Sequence, residues 1–113
     1  GTTGARIFLE FTAAGHPMGS VLTGSELGFS GANVSSASAC IPMYVRVAGT
    51  APIHRLEILR DGRVVHSRSG NSWDLAFGFE DACLPGTHYW YVRVWQADGE
   101  MAWSSPIWVT LAQ

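Results

Sequence analysis

The chain has 113 residues, enough for one domain with its own core and too few for two. Hydrophobic residues make up 47% and charged residues 14%, which excludes a disordered chain and implies a sparsely charged surface. The formal net charge of -2 argues against a nucleic-acid footprint or an anionic-membrane patch, and no apolar run approaches the roughly 20 residues of a membrane-spanning helix.

No basic stretch precedes an apolar one, so no signal peptide is expected. Gly1-Thr2-Thr3-Gly4 leads almost at once into strand pattern, an abrupt start that suggests a piece cut from a longer protein. Arg6 to Phe11 alternates, with Ile7, Leu9 and Phe11 on one face and Glu10 on the other, and predicts the first strand. Gly15 to Gly19 turns the chain, and Ser20 to Thr23 predicts a short strand. Gly24 to Ala39 is rich in Gly, Ser and Ala without a clear period. It is expected to be the longest loop, with a short edge strand at Leu27–Phe29. Met43 to Val47 predicts a strand with Met43, Val45 and Val47 inward.

His54 to Arg60 and Arg63 to Ser69 flank Asp61-Gly62. An Asp-Gly pair between two strand patterns is the strongest short-range hairpin signal, because both residues tolerate the positive φ of a type I′ turn. The expected register sets Ile58 opposite Val65 and Glu57 opposite His66. Trp73, Leu75, Phe77 and Phe79 alternate with small or charged residues and predict a strand with an aromatic inner face. After Pro85-Gly86 comes the richest β-forming run, Thr87 to Trp95, whose aromatic and β-branched residues suit a pleated, half-buried surface. Asp98-Gly99 ends it, and Trp103 to Leu111 predicts the last strand. Short alternating strands with turn signals every ~8–12 residues make the fold class all-β. The expected architecture is an antiparallel immunoglobulin-like or fibronectin-like β-sandwich of about seven to nine strands, one domain over residues 1–113.

Leu84-Pro85-Gly86-Thr87-His88-Tyr89 resembles the tyrosine-corner segment of fibronectin type III domains, with Tyr89 in the matching position. Simple alternation with Tyr89 inward would turn Arg93 inward too, and burying an unpaired guanidinium costs roughly 3–5 kcal/mol. The preferred register therefore puts Trp90, Val92 and Val94 inward and Tyr91, Arg93 and Trp95 outward, with a bulge near Tyr89.

A resemblance to a second family covers nearly the whole chain. Gly1 to Ile7, Gly15 to Ser20, Arg55 to Gly62 and Asp98 to Trp108 resemble the C-terminal region of large bacterial metallohydrolases. Those proteins carry a PHP-type catalytic domain, a distorted α/β barrel with a metal centre, and are similar to carbaryl hydrolases. The resemblance implies that this chain is a C-terminal sandwich and that its parent is a phosphoesterase or an amide or ester hydrolase. The His and Asp motifs of such metal centres are absent here, so no catalytic residue carries over. Gly31 to Ala39 departs from the family pattern and reads as a local insertion.

His16, His54, His66 and His88 form no close pair with a third ligand in reach, so no metal site and no cofactor are expected. No G-x-S-x-G elbow or Cys–His nucleophile context appears, and the carboxylates are scattered, so no catalytic residue is expected. Cys40 precedes the Met43 strand and Cys83 follows the Trp73 strand; in a sandwich of this topology both fall at the same end. They form either a disulfide or two buried free thiols.

The aromatics carry the best functional lead. Tyr91, Arg93 and Trp95 share the outer face of their strand, and Trp108 joins them from the last one. Arg93 can stack on an indole face, worth ~0.5–1 kcal/mol when exposed. Large apolar patches rarely stay uncovered, which leaves three covers: a neighbouring domain, the chain's own Gly24–Ala39 loop, or a ligand. The function expected is that of a non-catalytic accessory domain packing on an N-terminal catalytic domain of the same chain. The competing class is a carbohydrate-binding module using Tyr91, Trp95, Trp103 and Trp108.

Overall fold

The period-two runs become strands because each has one face to bury. The computed structural model describes residues 1–4, 6–27, 40–82 and 84–111. Its strands are β1 (Phe8–Ala13), β2 (His16–Pro17), β3 (Val21–Thr23), β4 (Cys40–Ala48), β5 (Ile53–Arg60), β6 (Arg63–Ser69), β7 (Asp74–Ala82), β8 (Gly86–Gln96), β9 (Met101–Trp103) and β10 (Ile107–Leu111). The smaller sheet is ordered β2-β1-β4-β7 and the larger β3-β10-β8-β5-β6, with β9 paired to β8. All pairings are antiparallel except β10 with β3. The all-β sandwich expectation holds. The ten strands among the described residues exceed the seven to nine expected because β2 is a two-residue stub and one expected strand is broken into β9 and β10.

That break is a bulge. Arg93 stands opposite Trp103 and Trp90 opposite Ile107, so four steps on one strand meet three on the other. Ser104 absorbs the extra residue: its N–H donates to the Val92 carbonyl at 2.9 Å and its Oγ accepts the Val92 N–H at 2.9 Å. Pro106, with no N–H, sits in the gap, where the ladder asks nothing of it.

The core lies between the sheets. Phe11, Ile41, Val45 and Val47 meet Leu56, Ile58, Trp90, Val92, Val94, Ile107 and Val109, all essentially excluded from solvent. Each such side chain contributes about 1.5–3 kcal/mol relative to exposure.

Several local expectations need correction. The Asp61-Gly62 turn is of type I′, with φ 53° and 85°. However, Leu59 faces Val64 while Ile58 faces His66, so Val65 is an extra residue and the register beyond it shifts by one. The bulge turns His66 inward, with its ring 5.4 Å from Phe77 and 4.8 Å from Phe79. It also lays Arg68 over Phe77 at 4.0 Å. The unbulged register would have offered Ser67 there, too short to cover the rings. Trp73 is not core: β7 begins at Asp74, the Trp73 carbonyl accepts the Gly49 N–H, and the side chain is 55% exposed. Leu27 ends a 3-10 turn (Ser25–Leu27) rather than starting an edge strand. The rest of that loop, 28–39, lies outside the described residues.

Tyr89 does not point inward as a tyrosine corner would require. It faces out with Tyr91 and Trp108, and the β8–β10 register runs unbroken past it. The crossover from β7 is tied by Trp90 instead. The buried indole Nε1 donates to Asp81 Oδ2 at 2.9 Å, and Arg60 Nη1 reaches the same oxygen at 2.6 Å.

Candidate functional site

Strand alternation on β8 presents Tyr89, Tyr91, Arg93 and Trp95 on the outer face of the larger sheet, two residues apart. Register then assigns each a cross-strand row. Arg55, Trp95 and Met101 form one; Glu57, Arg93 and Trp103 the next; Leu59 faces Tyr91; and Tyr89 faces Trp108, which pairs in turn with Val21. The face is therefore continuous over the sheet, and it gathers every interface candidate of the sequence reading: Tyr91, Arg93, Trp95, Trp103 and Trp108. Trp103 is 43% and Trp108 38% exposed, while Tyr91, Arg93 and Trp95 are half-buried.

The rings rest on one another. Tyr89 and Tyr91 are nearly parallel, 9° apart with centroids at 6.2 Å, and Tyr89 lies 4.7 Å from Trp108. Leu59, on the same face, is buried. Arg93 Cζ sits 5.2 Å from the Trp95 ring centroid, so a guanidinium already occupies the neighbourhood of that indole.

At the centre lies a charged cluster that sequence reading missed. Glu57 is only 7% exposed. Its Oε1 accepts from Arg93 Nη2 at 2.8 Å, and its Oε2 from Arg55 Nε at 2.9 Å and Arg55 Nη2 at 2.8 Å. Burial alone would raise the carboxyl pKa; the hydrogen bonds and charges of Arg93 and Arg55 outweigh it and hold Glu57 below the usual carboxylate range. Arg93 Nε is buried and has no hydrogen-bond partner among the described residues. A lone Glu in an apolar run reads as an outward-facing polar residue, and its partner Arg93 is 36 positions away, so no local signal marks it.

The first residues of the chain border this face. Gly1 exchanges backbone hydrogen bonds with Trp103, and the Thr3 N–H donates to the Met101 carbonyl at 3.0 Å. A Cβ at Gly1 would come within 2.5–2.7 Å of the Trp103 indole, so a side chain there would have to displace that ring. Thr3 Oγ1 bonds the Glu100 carboxylate.

At the far end of β8 the hairpin tip is clamped. The Asp61 N–H donates to the Tyr89 carbonyl at 2.9 Å, and Asp61 Oδ1 accepts the Tyr89 N–H at 3.1 Å. Asp61 Oδ2 lies 2.6 Å from His88 Nδ1, whose other nitrogen is 2.9 Å from the Pro85 carbonyl. Both neighbours can accept, which favours the protonated ring: the hydrogen bond to Asp61 raises the His88 pKa against the pull of burial.

Among the described residues no group of three or more His, Cys, Asp or Glu is gathered as a metal ligand set. No helix there is long and apolar enough to cross a membrane. The Cys40–Cys83 pairing cannot be followed, since Cys83 and the Cys40 side chain lie outside the described residues; the Cys40 backbone stands opposite Ala82.

No protein-family model matches the chain. An uncharacterized protein of Chlamydia pneumoniae is 40% identical over 124 residues, taking in 97% of this chain and 18% of that protein. Uncharacterized proteins of Chlamydia muridarum and Chlamydia trachomatis are 34% and 32% identical over the same shares. The chain thus spans less than a fifth of the length of these curated relatives. Among solved structures, a fibronectin(III)-like module of Clostridium thermocellum CbhA superposes with a TM-score of 0.53 at 16% identity, over 94% of this chain and all of that one. The fold is accordingly a fibronectin-like β-sandwich, and its nearly full-length sequence likeness is to one stretch of much larger bacterial proteins.

Proposed function

We propose that this chain is a non-catalytic accessory domain that packs on another domain of a longer parent protein through the outer face of its larger sheet. The observation that carries the reading is the face itself: Tyr89, Tyr91, Trp95, Trp103 and Trp108 share one outer sheet face, with two indoles substantially exposed. Aromatic residues with Arg among them, around a small buried cluster, make up the usual composition of an interface centre. The short share of the relatives that the chain spans fits a part within a larger whole. The resemblance to PHP-type metallohydrolases names a hydrolase as that parent and its catalytic domain as the partner. The Cys40–Cys83 bridge belongs to the same proposal; an intact mass lower by two hydrogens than that of the reduced chain would register it.

The carbohydrate reading is the weaker one. A sugar stacks on an open ring face, and here Arg93 already sits beside the Trp95 ring while Tyr89 packs on both Tyr91 and Trp108. Limited proteolysis tests the docking reading. Trp95→Ala and Trp108→Ala should leave the 113-residue chain folded yet release it earlier from the full-length protein. Release at the unchanged rate in both variants would defeat the reading.

A further inference from the structure

The aromatic face is not electrically neutral. Two guanidinium groups, Arg55 and Arg93, close on one carboxylate, Glu57, from opposite sides. One positive charge is left over, on a chain whose formal net charge is -2. The nearest turn carboxylates are engaged elsewhere: Asp98 Oδ1 accepts from Gln96 Nε2 and from the Glu100 backbone, and Glu100 holds Thr3 Oγ1. Arg55 keeps 48% of its side chain exposed and Arg93 35%, whereas the Glu57 side chain keeps 9%. The Glu57 carboxylate is thus satisfied within the face and Arg93 Nε is buried without a partner among the described residues, which leaves Arg55 as the more exposed cation of the pair. Trp103 stands beside Arg93 in the same cross-strand row, and Trp95 beside Arg55 in the next.

We infer that the face recognises an acidic side chain, an Asp or Glu carboxylate carried by the domain that packs on it, met at the exposed Arg55 side chain beside Arg93, with Trp95 and Trp103 at the neighbouring positions of the same rows. The inference deepens the docking reading and rests on it. A carboxylate fits the surplus charge: guanidinium N–H groups donate to its two oxygens, and desolvation by neighbouring indoles strengthens the pairing. Glu57 has a positioning role, holding both guanidinium groups through its two carboxylate oxygens.

The test is an NMR titration of the isotope-labelled 113-residue chain with hexaglutamate, hexalysine and cellohexaose. Hexaglutamate should shift the Arg55 and Arg93 Nε–H signals and the Trp95 and Trp103 indole signals, and hexalysine should not. The apparent affinity should fall at least about threefold at roughly 0.5 M salt, where the Debye length shrinks below about 5 Å. Arg55→Gln should weaken binding by a similar factor, and Arg55→Glu should abolish it, with the Trp90 indole signal unmoved as the sign of an intact fold. Hexaglutamate shifts that map elsewhere, or that survive Arg55→Glu, overturn the inference, as do indole shifts produced by cellohexaose alone. The full-length protein separates the two readings. Earlier proteolytic release in Trp108→Ala but not in Arg55→Glu leaves docking standing and removes the acidic partner; release unchanged in both removes docking as well.

Discussion

Gly62 sets the hairpin tip on which much of β8 depends. At φ 85° a side chain would crowd the neighbouring carbonyl, so Gly62→Ala should destabilise by about 1 kcal/mol, read as a lower urea midpoint at unchanged slope. Asp81 is a second single-residue dependency. Its Oδ2 satisfies both the buried Trp90 N–H and Arg60, so Asp81→Ala should cost roughly 1–3 kcal/mol, the penalty of orphaning a buried donor. Asp81→Asn keeps an acceptor and should cost less. Two histidines give the domain a pH profile of opposed slopes. The hydrogen bond to Asp61 raises His88 above its ordinary 6.5, so its folded form binds the proton more tightly than its unfolded form. The stability it contributes is complete below that value, while Asp61 stays ionised, and is lost as pH climbs through the raised value. His66 is the reverse. Burial among Phe77 and Phe79, helped by Arg68, lowers it, so stability falls as pH drops below 6.5 and the unfolded chain takes a proton that the folded one refuses. Unfolding midpoints measured across pH should peak between the two limbs. His88→Gln should flatten the alkaline limb and His66→Phe the acid limb.

At the scale of the strand, what sequence makes legible is what one buried face dictates. The alternation in β4 and β8 identified the inward residues, and the cost of burying a guanidinium settled which face of β8 Arg93 takes. The hairpin turn was legible because Asp-Gly carries its own backbone preference. The bulges at Val65 and at Ser104 were not. Val65 and the Ser104–Pro106 segment take their places from cross-strand partners, and no local period marks one residue too many. Glu57 escaped for the same reason: its burial makes sense only once β5 and β8 are side by side. Trp73 misled because the alternation continued one residue past the point where the chain leaves the ladder for the Gly49 loop. The bulge at Ser104 is itself testable. Ser104→Ala removes the Oγ that accepts the Val92 N–H, orphaning a buried donor, and should destabilise by about 1–3 kcal/mol. Faster amide exchange confined to Val92 and its neighbours would accompany it.

At the scale of the molecule, the two faces of the larger sheet do different jobs. The inner face closes the core with Trp90, Val92 and Val94; the outer face gathers aromatics around Arg55, Glu57 and Arg93 and borders the first residues of the chain. The sandwich and the outward set of candidates could be read from the sequence, because both follow from alternation. The charge at the centre of the face and its contact with Gly1 could not, because both are products of tertiary register. The docking account is tested most directly by hydroxyl-radical footprinting of the tryptophans in the 113-residue chain and in the full-length protein, since the fold supplies internal standards. Trp90, at 1% exposure, should be protected in both, and Trp73, at 55%, labelled in both. The account predicts that Trp103 and Trp108 are labelled in the isolated chain and protected in the full-length protein. Equal labelling of Trp103 and Trp108 in the two forms would contradict it.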